Sequence, residues 1–323
     1  MKYDVVVIGG GPAGLGAAIA AKKNGAESVL VLERNDCAGG ILNQCIHDGF
    51  GLIHYHETLA GPQYAVRAIA EAEEAGVTIK TDSMVVDMTA DRKVSVVSRD
   101  GFHTYEAGAV VLATGCRERT RGALAIPGSR PAGVFTAGVV QNLVNVKNVM
   151  VGKRVVILGS GDIGLIMARR LTLEGAKVLA VAEVMKTSGG LQRNISQCLY
   201  DFGIPLYTSH TVSNIFGKKK LTGVEISKVD DKMQPIPGTQ WTIDCDALVL
   251  SVGLIPKTRW PAAPVSSWTG APTAPLPTSS CRPPCLASSP AATPTPSWTW
   301  WTSSPPREKS PAKMPRPLSR ELK

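Results

Sequence analysis

The stretch Gly9-Gly10-Gly11-Pro12-Ala13-Gly14 lies between an apolar run at residues 4–8 and a segment in which Ala and Leu recur at helical spacing until Gly25. A second apolar run at residues 28–32 ends at Glu33. This order predicts a strand, a glycine-rich turn, a helix and a second strand.

The same pattern returns about 150 residues later in the chain. An apolar run at residues 154–158 leads into Gly159-Ser160-Gly161-Asp162-Ile163-Gly164, a helical segment at 165–174, and a strand at 177–182 that ends at Glu183. Two such units predict an α/β protein with two Rossmann-like lobes, joined by a crossover over residues 116–150.

Each turn has the spacing G-x-G-x-x-G. In it the first glycine makes a tight turn, the second lets a pyrophosphate approach the backbone, and the third lets the helix pack on the strand. The following helix offers unpaired N–H groups to phosphates. Glu33 and Glu183 each stand 19 positions beyond the third glycine, where a carboxylate can accept hydrogen bonds from ribose hydroxyls. A lone turn of this kind also serves plain strand-to-helix connections, but the doubled context favours dinucleotide binding.

The acidic residue of the second unit favours NAD(H) over NADP(H). A 2′-phosphate would be repelled by Glu183 and would require an Arg. Lys186 is a weak signal in the opposite direction. The sequence therefore predicts NAD(H) at the second turn, with NADP(H) as the less favoured alternative.

Two further segments of the first lobe carry clear local patterns. Residues 62–75 predict a helix with Val66, Ile69, Ala70 and Ala72 on its apolar face. Residues 94–106 predict a hairpin that turns at Asp100-Gly101, and residues 109–113 predict a separate buried strand.

Additional motifs make the chain resemble a known family over residues 1–256. Ala113-Thr114-Gly115 ends a predicted strand, and Val252-Gly253-Leu254-Ile255-Pro256 follows the second unit. With both glycine-rich turns, these motifs resemble the two-dinucleotide-binding-domain flavoproteins of the pyridine nucleotide-disulfide oxidoreductase superfamily. Residues 39–47 (Gly-Gly-Ile-Leu-Asn-Gln-Cys-Ile-His) and 116–120 (Cys-Arg-Glu-Arg-Thr) resemble, more narrowly, NAD(P)/FAD-dependent oxidoreductases related to opine and sarcosine oxidase subunits.

The resemblance implies an FAD lobe at residues 1–118 and an inserted NAD lobe at 119–256. It also implies a set of FAD contacts on the first lobe, which are Gly9, Gly11, Pro12, Ala13, Gly14, Glu33, Arg34, Gly40, Val85, Ala113, Thr114 and Gly115. The corresponding contacts with the nicotinamide cofactor are Gly159, Gly161, Asp162, Ile163, Gly164, Glu183 and Gly253.

The implied function is an FAD-dependent oxidoreductase that accepts hydride from NAD(P)H and passes electrons to an unknown acceptor. Because the cofactors carry the chemistry, the sequence identifies no catalytic side chain. The acceptor can be a partner protein, oxygen or a small molecule. An inactive or assembly-only flavoprotein remnant is the alternative, and a thioredoxin-reductase-like disulfide reductase is less favoured.

The cysteine spacing departs from that of the disulfide reductases. Those enzymes carry C-x-x-C or C-x-x-x-x-C beside the flavin, whereas seven residues separate Cys37 from Cys45 here. Cys45 is expected to be a small buried loop residue in preference to a lone thiol near the flavin. For His47, His54 and His56 an ordinary loop is expected in preference to a metal site, since no Cys or carboxylate constellation accompanies them.

The charge and apolar pattern exclude several classes of function. The chain has 323 residues and a net charge of +9, but residues 257–323 carry +7 of it, so the excess is no argument for nucleic-acid binding. No run approaches the ~20 apolar residues of a membrane-spanning helix. The five cysteines before residue 257 have neither C-x-x-C nor metal-ligand spacing, so reduced thiols in a cytoplasmic protein are expected.

The segment 257–323 has a composition of its own, with 15 of the 23 Pro, 5 of the 6 Trp and 1 of the 32 Gly. We interpret it as a frameshifted, disordered translation that begins at Pro256, so that the FAD lobe lacks its closing segment. Trp has a single codon, and reading Trp298-Thr299-Trp300-Trp301-Thr302 one base earlier forces (Leu, Met or Val)-Asp-(Leu, Met or Val)-Val-Asp. The alternative is a Pro-rich disordered extension.

Overall fold

The computed structural model describes residues 1–257 of the chain. The interpretation of the tail as frameshifted and disordered therefore concerns residues that, apart from Lys257, lie outside the described part. Among residues 1–257, no helix combines the length and the apolar character needed to cross a bilayer.

The first half of the described chain is built around one six-stranded sheet, ordered β5-β2-β1-β8-β7-β6. The first four of these strands are mutually parallel, and β8, β7 and β6 are antiparallel to one another. The elements in chain order are β1 (Lys2–Ile8), α1 (Pro12–Lys23), β2 (Val29–Leu32), a 3-10 helix (Gly40–Gln44), β3 (Asp48–Phe50), β4 (Leu59–Ala60), α2 (Gly61–Glu74), β5 (Thr78–Lys80), β6 (Met84–Met88), β7 (Lys93–Ser98) and β8 (Gly101–Leu112).

The C-terminal part of strand β1, residues 6–8, is buried on both faces, as expected of a central parallel strand. Val6 and Ile8 pack with Tyr105 and the β6–β7 hairpin on one face, while Val7 packs under α1 with Leu15 on the other. Because strand side chains alternate, one short apolar run builds two core layers.

Two details of the first lobe differ from the sequence-based predictions. In α2 the buried residues include Ala65, Ala68 and Ala72, whereas Val66 is 67% exposed and Ala70 is also exposed. The small alanine face packs against α1. The strand predicted at residues 109–113 is the end of the long strand β8, which also forms the second arm of the predicted hairpin.

The second glycine-rich unit lies in a five-stranded parallel sheet, ordered β10-β17-β11-β12-β13. Its elements in chain order are β9 (Cys116–Glu118), α3 (Arg121–Leu124), β10 (Val134–Thr136), α4 (Ala137–Asn145), β11 (Arg154–Leu158), α5 (Asp162–Leu173), β12 (Lys177–Glu183), α6 (Gln192–Cys198), a 3-10 helix (Tyr200–Phe202), β13 (Leu206–Thr208), β14 (His210–Gly217), β15 (Leu221–Lys228), β16 (Trp241–Asp244), β17 (Ala247–Leu250) and β18 (Leu254–Pro256).

Both faces of this parallel sheet are covered. Helices α4, α5 and α6 cover one face, and the antiparallel sheet β14-β15-β16 packs against the other. The basic run Lys218-Lys219-Lys220 forms the turn between β14 and β15. Two short antiparallel strands, β9 and β18, lie side by side where the chain passes between the two larger sheets.

Candidate dinucleotide-binding sites

The first glycine-rich turn connects β1 to α1, and its three motif glycines have different local surroundings. Gly9 has φ +109°, and a side chain on it would collide with the carbonyl oxygen of Ala113. A side chain on Gly14 would collide with the carbonyl oxygen of Gly9. Gly11 has an ordinary extended conformation, and an added Cβ would meet nothing closer than the Cα of Gly40 at 3.9 Å. The fold itself therefore requires the first and third glycines but not the second.

The second turn, between β11 and α5, repeats this division. Gly159 has φ +101° and abuts the Ser251 carbonyl, and a side chain on Gly164 would collide with Gly159. Gly161 has φ −68°, and an added Cβ would meet no heavy atom of the described residues within 4 Å. In each turn, only the middle glycine leaves open space that a Cβ would fill. That is the position at which a pyrophosphate approaches the backbone in the dinucleotide-binding motif.

The helix N-termini at the two turns present backbone N–H groups to this space. Gly11 and Gly161 occupy the N-cap positions of α1 and α5, and neither helix receives a side-chain cap there. Each helix has 12 residues, so its dipole places partial positive charge at these N–H groups. The two turns are therefore suited to hold anions, and their residues fit a dinucleotide phosphate.

Two buried carboxylates hold the turns in shape. Glu33 accepts hydrogen bonds from the N–H of Gly10 at 2.8 Å and of Asn35 at 2.9 Å. Glu183 accepts from the N–H of Ser160 at 2.8 Å and of Met185 at 2.9 Å. Glu33 and Glu183 are 5% and 8% exposed.

The two carboxylates differ in one contact. The hydroxyl of Ser160 also donates to Glu183, at 2.6 Å, whereas glycine stands at the equivalent position 10 of the first turn. A carboxylate offers about four lone-pair positions. Glu183 therefore retains less capacity for ribose hydroxyls than Glu33 does.

Other predicted contacts of the first site lie around the open space at Gly11. Gly40 lies opposite, since a side chain on it would come within 2.9 Å of the Gly11 Cα. Gly39 donates its N–H to the Gly10 carbonyl at 2.8 Å. Pro12 and Ala13 open α1 beside the same space. The structure brings these residues together on one side of the turn.

The strand end at residues 113–115 forms the neighbouring wall. Ala113 donates its N–H to the Ile8 carbonyl at 2.9 Å, and Gly115 has φ +65°. The Thr114 hydroxyl donates to the Lys257 carbonyl at 2.8 Å. Of the remaining predicted contacts, Arg34 is exposed just beyond β2, and Val85 is partly buried in β6 against the core.

The residues predicted at the second site are tied to the segment that follows β12. The Asp162 carboxylate accepts hydrogen bonds from the Leu191 N–H and the Asn194 side chain, both at 2.8 Å. Ile163 packs against the core under α5. Gly253 is exposed, has φ +102°, and accepts from the Arg119 N–H at 3.1 Å.

Lys186, the residue that weakly favours NADP(H) in the sequence analysis, forms an ion pair with another residue. Its ammonium lies 2.8 Å from the Asp231 carboxylate, and both side chains are more than four-fifths exposed. Such an exposed ion pair is weak. Lys186 is therefore drawn toward the β15–β16 connection.

The cysteines of the described part are all free thiols. Burial raises the pKa of Cys45 from the ordinary value of 9.0 to about 11, and the thiol donates to the Gln141 side-chain oxygen at 3.8 Å. Desolvation also raises the pKa of Cys37, Cys116 and Cys198, and that of Cys245 to about 12. A nucleophilic thiolate is disfavoured at each of these positions.

The three histidines that were considered as a metal site, His47, His54 and His56, do not form one. His54 lies 3.3 Å from the Glu71 carboxylate and packs edge-on against Tyr55, while His47 packs on Phe50. Burial lowers the pKa of His47. Within residues 1–257, no group of three or more His, Cys, Asp or Glu is placed to hold a metal ion.

Two residues with a clear role in the structure, Ser160 and Gln44, were not predicted from the sequence. Ser160 is fully buried and links Glu183 to the segment after β12, because its carbonyl accepts from the Ser188 hydroxyl at 3.0 Å. Alignment of the two repeats would have revealed Ser160, because the first repeat has Gly10 at the equivalent position. Gln44 contacts a helix 94 to 101 positions away, which a local pattern cannot reveal.

Comparison with known proteins agrees with this geometry. The profile of the family described as "Pyridine nucleotide-disulphide oxidoreductase" matches residues 3–268. The chain is 27% identical to an opine oxidase subunit from Agrobacterium tumefaciens (strain Ach5), over 79% of this chain and 53% of the relative. It is 25% identical to thioredoxin reductase of Listeria innocua serovar 6a, over 80% of this chain and 75% of the relative.

Among solved structures, thioredoxin reductase of T. acidophilum superposes with a TM-score of 0.62 and 25% sequence identity. The match covers 80% of this chain and 79% of that structure. The chain thus spans most of a thioredoxin reductase, but only about half the length of the relative from Agrobacterium tumefaciens.

Proposed function

The chain belongs to the pyridine nucleotide-disulphide oxidoreductase family, and on that premise we propose that it is an FAD-dependent oxidoreductase that accepts hydride from NADH and passes the electrons to a separate acceptor. When bound, FAD supplies the hydride-accepting ring system and NADH supplies the hydride. The side chains of this protein bind and orient the two dinucleotides.

One observation carries the proposal, namely the matching surroundings of Gly11 and Gly161. In both turns the outer glycines are required by the backbone, whereas the middle glycine faces open space. A chain that needed only two strand-to-helix connections would accept Ala at either middle position. The repeated glycine is therefore explained by a ligand that must approach the backbone closely.

We assign FAD to the first turn, at residues 9–14, with Glu33 at the adenosine ribose, Gly40 opposite, and residues 113–115 beside it. The open space is lined by backbone of the 3-10 helix start and of the strand end after β8. These walls carry little side-chain bulk, which suits an extended dinucleotide. With this assignment, the proposed FAD lobe comprises residues 1–118 and the proposed NAD lobe comprises residues 119–256.

We assign the nicotinamide cofactor to the second turn, at residues 159–164, with NADH preferred to NADPH. The support is Glu183, a buried carboxylate at the end of β12. A 2′-phosphate would bring like charge to this position. Lys186 offers little compensation because it pairs with Asp231.

The acceptor is proposed to be a partner protein. The relative from Agrobacterium tumefaciens is named as an oxidase subunit, of which this chain spans only 53%. Oxygen or a small molecule remains as the alternative acceptor. An inactive, assembly-only protein is the alternative for the whole chain.

Disulfide reduction of the thioredoxin reductase kind receives less support. The likeness to thioredoxin reductases covers the chain well. A disulfide reductase needs two thiols that react together, however, and the five cysteines of the described part are free, with raised pKa values.

Cofactor extraction tests the proposal. The full chain is refolded or purified in the presence of excess FAD, gel-filtered, and denatured, and the released flavin is identified by chromatography. We expect FAD in preference to FMN, because only FAD carries the pyrophosphate that the first turn is suited to bind. Release of FMN alone would contradict the assignment. Absence of flavin would contradict it only in a folded chain whose frame has been restored at Pro256, because the interpretation of the tail predicts weak FAD retention by the present chain.

A further inference from the structure

The segment Gly39–His47 was singled out by its sequence, and its C-terminal part touches neither glycine-rich turn. Residues Gly40–Gln44 form the 3-10 helix of the first lobe, where Leu42 is buried in a small core with Phe50 and Leu59. Gln44 ends this helix and contacts α4 of the second lobe. The segment therefore lies at the junction of the two lobes.

Gln44 uses its whole amide group at this junction. Its Nε2 donates to the Gly138 carbonyl at 3.0 Å and to the Gln141 Oε1 at 2.9 Å. Its Oε1 accepts from the Asn142 amide at 3.2 Å, and its backbone carbonyl accepts from the Asn145 amide at 2.9 Å. Each of the hydrogen bonds that the Gln44 side chain makes within the described residues thus crosses between the lobes.

The partners of Gln44 form one stripe of α4. Positions 138, 141, 142 and 145 follow the spacing i, i+3, i+4, i+7, which defines a single helix face. The apolar stripe Ala137, Val140 and Val144 packs instead into the core of the second lobe. Helix α4 therefore has an apolar face toward its own lobe and a polar face toward the first lobe.

The contact continues to the helix that begins at the second glycine-rich turn. The Asn145 side-chain oxygen accepts from the Arg170 Nε at 3.1 Å, and Arg170 also pairs with Glu174, at 2.5 Å. Arg170 and Glu174 lie at the C-terminal end of α5, whose N-cap is Gly161. A hydrogen-bonded path thus connects the first lobe, through Gln44 and α4, to the element that carries the second candidate nucleotide site.

The buried character of the junction favours a fixed geometry. Gln141 is 3% exposed, and the Cys45 thiol shares its side-chain oxygen with Gln44. Breaking this contact would leave buried amide groups without partners, which is costly. Rotation of one lobe against the other would have to break all four Gln44 contacts together.

We propose that Gln44 is a positioning residue that holds the two lobes in the orientation used for hydride transfer between the two cofactors. The catalytic part of this inference rests on the proposed function. The structural part, that Gln44 holds α4 against the first lobe, stands on the contacts alone. The structural part is tested by hydrogen exchange, and the catalytic part is tested by the rate of flavin reduction.

The test is Gln44→Glu in the full chain. This change keeps the shape of the side chain but replaces both N–H donors with an acceptor, so that it faces the Gly138 carbonyl and the Gln141 Oε1 with like partial charge. Gln63→Glu is the matched control, because it introduces the same charge in the first lobe at a side chain whose Oε1 only accepts from the Ala60 N–H.

Hydrogen exchange measured by mass spectrometry gives the structural readout. In Gln44→Glu we expect amides of residues 40–46 and 137–145 to exchange at least ten-fold faster than in Gln63→Glu, with β1 and β11 unchanged. Equal exchange in the two variants would overturn the proposal. If Gln44→Glu does not fold, Asn142→Ala removes one junction bond and must raise exchange of the same segments several-fold.

Stopped-flow reduction of the FAD-supplied chain by NADH gives the catalytic readout. We expect the limiting rate constant of flavin bleaching to fall about ten-fold in Gln44→Glu, while the concentration of NADH giving half of that rate stays unchanged. Faster exchange with an unchanged limiting rate would overturn the positioning role. Absence of bleaching in the unmutated chain would contradict the proposed function instead, and the exchange result would still decide the structural part.

Discussion

At the scale of single residues, the protein's own fold requires only some of the glycines in the two motifs. Gly9 and Gly14 are fixed by positive φ or by backbone collision, whereas Gly11 is fixed by neither. The sequence predicted the spacing and the general role of each position. It could not show that the space beside Gly11 and Gly161 is open, because that depends on how residues 39–40 and the segment after β12 are placed.

The first prediction concerns Gly11. Replacing it by Val should abolish FAD retention while the unliganded chain keeps its melting temperature within a few degrees, because the side chain fills space that the fold leaves empty. Gly16→Ala, on the exposed face of α1, adds a Cβ where nothing lies within 4 Å, and should keep FAD and gain about 0.5–1 kcal/mol of stability. Flavin content by absorbance after gel filtration checks both, and full occupancy in Gly11→Val would refute the assignment.

The second prediction concerns Glu183. Glu183→Gln removes the charge that disfavours a 2′-phosphate, and the preference for NADH over NADPH should narrow by about 1–3 kcal/mol, or roughly 5- to 150-fold in the ratio of specificity constants. Glutamine is preferable to alanine here, because its one carbonyl oxygen can still accept from the Ser160 N–H, although its amino group then faces the Met185 N–H.

Glu33→Gln is the matched control for Glu183→Gln, because Glu33 makes the equivalent backbone contacts in the first lobe. This control variant should leave the ratio of the specificity constants for NADH and NADPH unchanged. Flavin reduction that was faster with NADPH than with NADH in the unmutated chain would show that the cofactor assignment is wrong.

At the scale of secondary-structure elements, the sequence predicted most of the strands and helices of the two glycine-rich repeats but not the contacts between the two lobes. The strands, turns and first helices of both repeats are local patterns, and the structure has them where the spacing placed them. The apolar face of α2 was predicted only in part. Ala72 is buried and Ile69 packs against the core, but helical period alone does not distinguish Val66 and Ala70 from the alanine face that packs on α1. The contacts of the 3-10 helix with α4 join residues far apart in sequence.

The third prediction concerns the start of α4. Thr136, at its N-cap, makes no side-chain cap bond, and the Glu118 carboxylate of β9 accepts instead from the Gly138 N–H at 2.8 Å. Glu118→Ala should therefore lower the free energy of unfolding by about 1 kcal/mol. Thermal melts of Glu118→Ala and Glu118→Gln check this, because the Gln oxygen still accepts, so equal melting temperatures for the two variants would contradict the capping role.

At the scale of the whole molecule, the first sheet has an open edge within the described residues. Strand β1 pairs with β8 over residues 106–112, but β7 pairs only with residues 101–106. On the side opposite β1, residues 108–112 carry no strand of the described part, and Leu112 is 37% exposed. A closing segment of the proposed FAD lobe would find an unpaired strand edge there.

The fourth prediction concerns the tail, which we propose is out of frame from Pro256 onward, so that the segment that would cover this open edge is missing. Restoring one base at that codon should yield a product that retains more FAD after gel filtration and aggregates less than the present chain. The comparison uses flavin-to-protein ratio and light scattering on both products. An immediate stop codon, or no gain in flavin content, would defeat the frameshift interpretation.

The central claim is that one chain brings a flavin and NADH together, and anaerobic stopped-flow mixing tests it most directly. The full chain, saturated with FAD, is mixed with NADH under argon while the flavin absorbance is followed, with free FAD at the same concentration as the reference. We expect bleaching that saturates with NADH concentration and is at least a hundred-fold faster than for free FAD. Bleaching no faster than that of free FAD, from a chain shown to bind both dinucleotides, would contradict it.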